Sequence, residues 1–273
     1  MNLKMVSILI FFLTFAEALQ AQDFQGVATY KSRRQVDLKM EGKNMTDAMQ
    51  KQIADQLKKQ FEKTYTLTFD RNQSIYKEDE KLAKPDVASS GGMQIKISQS
   101  RDILYKNTAA KRYERQEDVL GKIFLVQDSL QKPDWQLEKE TKSIGDYTCF
   151  KATRNEEVTS QTFESDSMKT KDTTFTKTIT AWYTPQIPVS HGPAMNWGLP
   201  GLILEVQDGK QSILCSQIVL NPEDKIEIEA PEGGKIVGEA SMKAIQEEKM
   251  KEWIERNSSN REDGKTFTIK IGG

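Results

Sequence analysis

The stretch LILEVQDGKQSILCSQIVL, residues 202–220, is two apolar runs of strand length around Asp208-Gly209-Lys210. Asp and Gly tolerate the backbone angles of a tight reversal, so this chemistry predicts an antiparallel hairpin of 202–207 with 211–220. Outward from it, period-two alternation marks further strands over 24–31, 65–69, 74–77, 103–106, 119–127, 135–142, 147–153, 174–184, 225–229 and 266–271. Short polar turns at Asp70-Arg71-Asn72-Gln73 and Ile144-Gly145-Asp146 join neighbours. Neighbouring strands without intervening helices imply a meander, not βαβ units. The expected fold is mainly β (α+β): a single curved antiparallel meander or half-barrel sheet with two amphipathic helices packed on it.

The two helices are expected over 46–63 and 241–256. In the first, Met49, Ile53 and Leu57 recur every four residues between Met45 and Phe61, drawing one narrow stripe, and Asn44 suits the N-cap. Two roles for the stripe stay open: docking on one sheet face, or a lid whose Met-rich side covers an apolar cavity. The second helix gathers Met242, Ile245, Met250, Trp253 and Ile254 on one side. It reads as core packing, because Glu247, Glu248 and Glu252 offset the lysines that a membrane-surface helix would present.

Residues 1–21 read as a secretory leader. Lys4 precedes an apolar run over 5–15, and Ala16, Ala18 and Ala21 supply small residues for cleavage after Ala21, with Ala18 the alternative. The run is shorter than the ~20 residues of a spanning helix, and no later segment is long and apolar enough to span. The reading is an exported mature domain over 22–273, periplasmic or secreted. Polar stretches near 78–92 and 155–174 are expected to be mobile loops within it. In an oxidising compartment the pair Cys149 and Cys215 favours a disulfide, with two buried free thiols as the alternative.

The charge balance, 39 Lys+Arg against 40 Asp+Glu, leaves no cationic surplus for a nucleic-acid backbone. A single histidine, His191, is too little for a His-rich metal site, and Ser190-His191 lacks a nucleophile elbow. Cys149 and Cys215 have no metal-ligand spacing. No catalytic residue, metal or cofactor is expected. Glu205 stands out as an acid between apolar neighbours. Alternation puts Leu202, Leu204 and Val206 on one face and Ile203 with Glu205 on the other, either half-solvated or as a polar anchor in a ligand cavity.

The least ordinary segment is AWYTPQIPVSHGPAMNWGLPGLILEV, residues 181–206. Pro185, Pro188, Pro193 and Pro200 block regular pairing, so the chain between two strands becomes fixed and irregular. Leu199-Pro200-Gly201-Leu202 fits a type II turn, with Gly201 at positive φ. Trp182, Tyr183 and Trp197 then form either a rigid contact surface or a packed corner.

Gly198-Leu199-Pro200-Gly201-Leu202-Ile203 resembles the signature of the GLPGLI family of exported Bacteroidota envelope proteins, whose function is uncharacterised. The lead-in Ala181-Trp182-Tyr183-Thr184, Ile187-Pro188 and Gly192-Pro193 is similar to that family too, as is the strand Ile144-Gly145-Asp146-Tyr147-Thr148-Cys149-Phe150-Lys151-Ala152. The similarity covers about 145–206, and it implies an envelope protein, often encoded near outer-membrane receptor genes. The departure from the family is Ala194-Met195 ahead of Trp197, where an aromatic is usual.

The resulting expectation is a non-enzymatic binding or carrier module for an apolar or lipid-like ligand, held by Met49, Ile53 and Leu57 with Glu205. The alternative is an accessory that docks on an outer-membrane receptor or other envelope protein through Trp182, Tyr183, Trp197, Leu199 and Pro200.

Overall fold

The computed structural model describes residues 24–34, 62–79, 102–119, 121–164, 169–209, 211–258 and 268–271. The first six strands are β1 (Gly26–Arg34), β2 (Lys63–Phe69), β3 (Gln73–Glu78), β4 (Ile103–Asn107), β5 (Arg112–Val119) and β6 (Lys122–Ser129). They are followed by β7 (Gln136–Ile144), β8 (Tyr147–Glu164), β9 (Lys169–Thr184), β10 (Leu202–Asp208), β11 (Gln211–Leu220) and β12 (Lys235–Val237). Helix α1 (Glu239–Ser258) and strand β13 (Thr268–Ile271) complete the described chain.

All thirteen strands belong to one sheet. Its path is β12-β6-β5-β4-β3-β2-β1-β11-β10-β9-β8-β13, and β7 pairs with β8 beside that path. Two meanders therefore meet at β1. One runs outward from β1 to β6, and the other returns from β7 to β11 and closes on β1, where Tyr30 faces Tyr65 on β2 and Cys215 on β11. Every pairing is antiparallel except β12 with β6. The fold is thus mainly β, with one mixed sheet.

The alternation read from the sequence fixes which side is buried. Ala28 and Tyr30 on β1 and Leu67 and Phe69 on β2 are fully buried, while Val27, Thr29 and Lys31 lie opposite. The side carrying Tyr30 and Phe69 is the core face, and its reverse is the far face. Helix α1 joins the core through Met242, and its Glu239 accepts from Tyr113 Oη at 2.6 Å and from Arg115. No helix among the described residues is long and apolar enough to cross a membrane.

Several expectations are corrected. The strand expected over 119–127 is β6 from Lys122 onward, and its start is corrected because Gly121 (φ 84°) reverses the chain between β5 and β6. The charge-rich β5 (RYERQEDV) hides from a periodicity reading because Arg115 and Glu117 sit on its core face beside α1. Residues 225–229 form no strand; they belong to an irregular strap over 221–234, held by Gln25, which donates to Ile226 O at 2.9 Å. The stretch expected as a loop over 155–174 is mostly strand: Asn155 to Glu164 pair with Thr178 to Lys169 as the far half of the β8–β9 hairpin. Its composition misleads because Thr is a good strand former that needs no burial.

One helix of the expected two is described, α1. The region 46–61, with Met49, Ile53 and Leu57, lies outside the described residues, and Lys63 begins β2. Most of the expected loop 78–92 also lies outside them.

Candidate functional site

Residues 185–201 leave β9 and return at β10 without regular pairing, as the prolines dictate. The backbone is nonetheless closed on itself. Leu202 N donates to Ile187 O at 3.0 Å, Ile203 N to His191 O at 3.0 Å, and Gly198 N to Ser190 O at 3.0 Å. Ile187, Val189, Trp197 and Leu199 all enter the core, so the segment is a packed corner. Trp197 Nε1 donates to Gln131 O at 3.2 Å, and Trp135 Nε1 donates to Trp197 O at 2.8 Å.

The expected type II turn is absent. Gly198 (φ 91°), not Gly201, occupies the left-handed region. Gly201 is required for a different reason: a Cβ there would fall within the Thr184 carbonyl group. Gly192 is tight to a lesser degree, since its Cβ would meet Asn196 O at 2.7 Å and Ile203 Cβ at 2.8 Å.

Of the residues singled out from sequence, Trp197 and Leu199 are buried parts of this corner, Tyr183 is buried near the end of β9, and Pro200 is exposed. Trp182 and Glu205 lie elsewhere, on the far face. Registers place Lys31, Leu214, Glu205, Trp182 and Lys151 side by side across β1, β11, β10, β9 and β8. Lys142 on β7 supplies the charge. Its Nζ donates to Glu205 Oε2 at 2.5 Å and stands 4.3 Å from the centre of the Trp182 ring. Gln207 donates to the other carboxylate oxygen, Oε1, at 3.1 Å. Glu205 is buried, not half-solvated, because Trp182 and Lys142 cover it and a bulge between Ile203 and Glu205 buries every residue of 202–206.

A second polar cluster lies under the corner, on the core face. Lys106 is fully buried, and its Nζ donates to Gly192 O at 2.9 Å and Ala194 O at 2.5 Å. Burial alone lowers its pKa to about 7. His191, also fully buried, sits with its ring 6.2 Å from that of Phe69. Burial first, then the Lys106 charge, brings its pKa down to about 3, against a partial offset from the backbone of Asp70 and Arg71. Neither Lys106 nor Lys142 was foreseen. The signal for Lys106 was its phase: in Ile103-Leu104-Tyr105-Lys106 it alternates with Leu104 onto the buried side. Lys142 gave none, because its partners come from β9 and β10.

Between the far face of β3–β6 and the strap is a groove of about 530 Å³, lined by Tyr105, Arg112, Glu114, Gln127 and Glu232 among others. Glu114 accepts from Gln127 at 3.3 Å, and Tyr105 Oη donates to Gln73 at 2.6 Å. Such a lining suits polar groups, not an acyl chain. No cluster of three metal-ligating side chains occurs among the described residues.

Cys149 and Cys215 are free and buried. They stand on β8 and β11, with β9 and β10 between them in the sheet order. Each thiol instead donates to a carbonyl of its own strand, Cys149 to Tyr147 O and Cys215 to Gln217 O. The expected bond is not formed, and burial pushes both thiols up to about 11.

Residues 135–205 match a family described as "Protein of unknown function (Porph_ging)". That span holds β7 to most of β10, including the corner and the Trp182–Glu205 cluster. Two solved structures are similar in part, both of PNGF-II, in the C2 and P21 space groups. Their TM-scores are 0.47 and 0.46 and their identities 13% and 14%. They cover 83% and 82% of this chain, which spans about a third of their length (33% and 34%). No curated protein matches.

Proposed function

We propose that this chain is an exported, non-enzymatic binding module of the cell envelope that docks a protein partner through the far face around Trp182. The observation that carries the reading is the Trp182–Lys142–Glu205 cluster. In a segment whose other aromatics, Tyr183 and Trp197, are buried in the core, one indole stays half-buried on the reverse of the sheet. It is oriented by a lysine and a buried carboxylate. A preordered aromatic with flanking charge gives contact area at little entropic cost, which is how interface anchors work. Leu214, 42% exposed and directly opposite Glu205, extends the apolar part of the surface.

The carrier reading draws less support. The core face, where a half-barrel carrier would hold an apolar ligand, is occupied by the side chains of the corner itself. Export, and membership of an envelope family, rest on the leader and on the resemblance of 145–206.

The test is cross-linking of the tagged protein in its own envelope, with native mass spectrometry of what is purified. A discrete protein cross-linked to wild type and lost with Trp182→Ala, at unchanged melting temperature, is the expected result. A bare chain retaining an extractable apolar molecule, with cross-links indifferent to Trp182, overturns the proposal in favour of the carrier.

A further inference from the structure

The polar cluster under the corner is poorly satisfied. Ser74 Oγ and both ring nitrogens of His191 are buried without a hydrogen-bond partner, although Ser74 and His191 are fully buried residues. The backbone of Asp70 and Arg71 approaches the ring, yet neither residue completes a hydrogen bond to it. The Lys106 ammonium makes two bonds, both to carbonyl oxygens, and no carboxylate among the described residues pairs with it. The one charge felt by His191 is that of Lys106. Native interiors rarely leave three such atoms unpaired beside an uncompensated cation, and each case calls for an explanation such as a bound water or ion.

Register and side-chain contacts bring these groups together. Ser74 on β3 is directly opposite Phe69 on β2 and directly opposite Lys106 on β4. The ring of His191 lies over Phe69, and the carbonyl of the next residue, Gly192, receives the Lys106 ammonium. Ser74 is therefore flanked by Phe69 and Lys106 and roofed by His191-Gly192. Its hydroxyl, an imidazole N–H and the third ammonium N–H are all donors. The charge of the set is positive, and the Phe69 ring stands beside it.

We infer that Ser74, Lys106 and His191 form an enclosed site for a small monovalent anion of halide size, closed over by the 187–199 corner. Bound there, the anion supplies the missing counter-charge for Lys106 and accepts from Ser74 and His191. It stabilises the corner against β3 and β4, because the unfolded chain has no such site and binding to the folded state alone adds stability.

The experiment compares thermal unfolding in sodium bromide and in sodium gluconate at equal ionic strength, gluconate being too large for the site. The melting temperature should rise by about 4 °C in bromide at tenfold saturation. Ser74→Ala, which removes one donor and leaves packing intact, should reduce that rise at least by half. Lys106→Met should abolish it, and if that variant does not fold, Ser74→Ala decides. Crystals of the full chain in bromide should show anomalous density within about 3.5 Å, an ordinary contact distance, of Lys106 Nζ. A water at that position, an equal melting temperature in the two salts, or bromide density without any stability difference (an adventitious ion only) each overturns the inference.

Discussion

Lys106 and Lys142 are buried to different depths on opposite faces of one sheet, and the chain treats their charges in opposite ways. Lys106 has no exposure, no carboxylate partner among the described residues and two carbonyl acceptors in a single loop. Lys142 keeps a third of its side chain in solvent (34%) and is held by a carboxylate and an indole from two strands. The first arrangement fastens: it works only while the corner stays shut, and any opening exposes it whole. The second leaves an accessible charge and ring in a defined geometry. A scaffold needs the first kind of interaction and a docking surface needs the second, which is why the corner reads as structure and the Trp182 face as function.

The comparison breaks most severely at Gly201. Gly201→Val places side-chain atoms inside the Thr184 carbonyl group, and backbone cannot yield as a flexible side chain can. The expected destabilisation is about 4 kcal/mol in urea unfolding, and a corner forced off β9 can no longer hold its carbonyls against Lys106. An unchanged midpoint would show that the corner does not press on β9 as described.

Acid should open the core-face cluster next. His191 has an ordinary value of 6.5 and a folded value of about 3, so the unfolded chain binds the extra proton in between. Its contribution is complete above 6.5 and is lost as pH falls from 6.5 toward 3. At pH 4 the deficit is about 3 kcal/mol relative to neutral pH, at roughly 1.4 kcal/mol for each pH unit. Carboxylates elsewhere also titrate in this range, so the measurement is the difference between wild type and His191→Phe across about pH 4–7. Parallel stability curves for the two proteins would mean that His191 is protonated without cost and is not enclosed. Lys106 acts in a separate window: its value of about 7 lies below the ordinary 10.5, so stability climbs with pH between those limits.

How far the sequence reveals these two faces depends on where each partner comes from. The hairpin 202–220 and the alternation in β1, β2 and β3 are local, and they were legible because each side chain's face follows from its neighbours two residues away. The prolines of 185–200 announced an irregular segment, and the corner is one. What failed was chemistry set by approach across the sheet. Gly201 looked like a turn glycine because Pro precedes it, yet the constraint comes from Thr184 on another strand. Glu205 looked half-solvated because nothing local says that β7 sends Lys142 over it. The cysteines suggested a bond because pairing was judged by compartment, and only strand order places β9 and β10 between them.

The smallest expected effect bears on the far face. Lys142 can be held there by Glu205 alone, with Trp182 merely adjacent, or by the ring as well. A double-mutant cycle of Lys142→Met and Trp182→Leu separates the two, because each substitution keeps much of the apolar volume while removing one side of the cation–ring pair. Partial exposure screens the interaction, so the coupling should be about 0.7 kcal/mol. Lys142→Met by itself costs more than that, since it leaves the Glu205 carboxylate buried with only Gln207 to satisfy it. A coupling of zero would reduce Trp182 to a neighbour of the ion pair. Its orientation would then owe nothing to Lys142, and the preordered aromatic on which the docking surface depends would lose its physical basis.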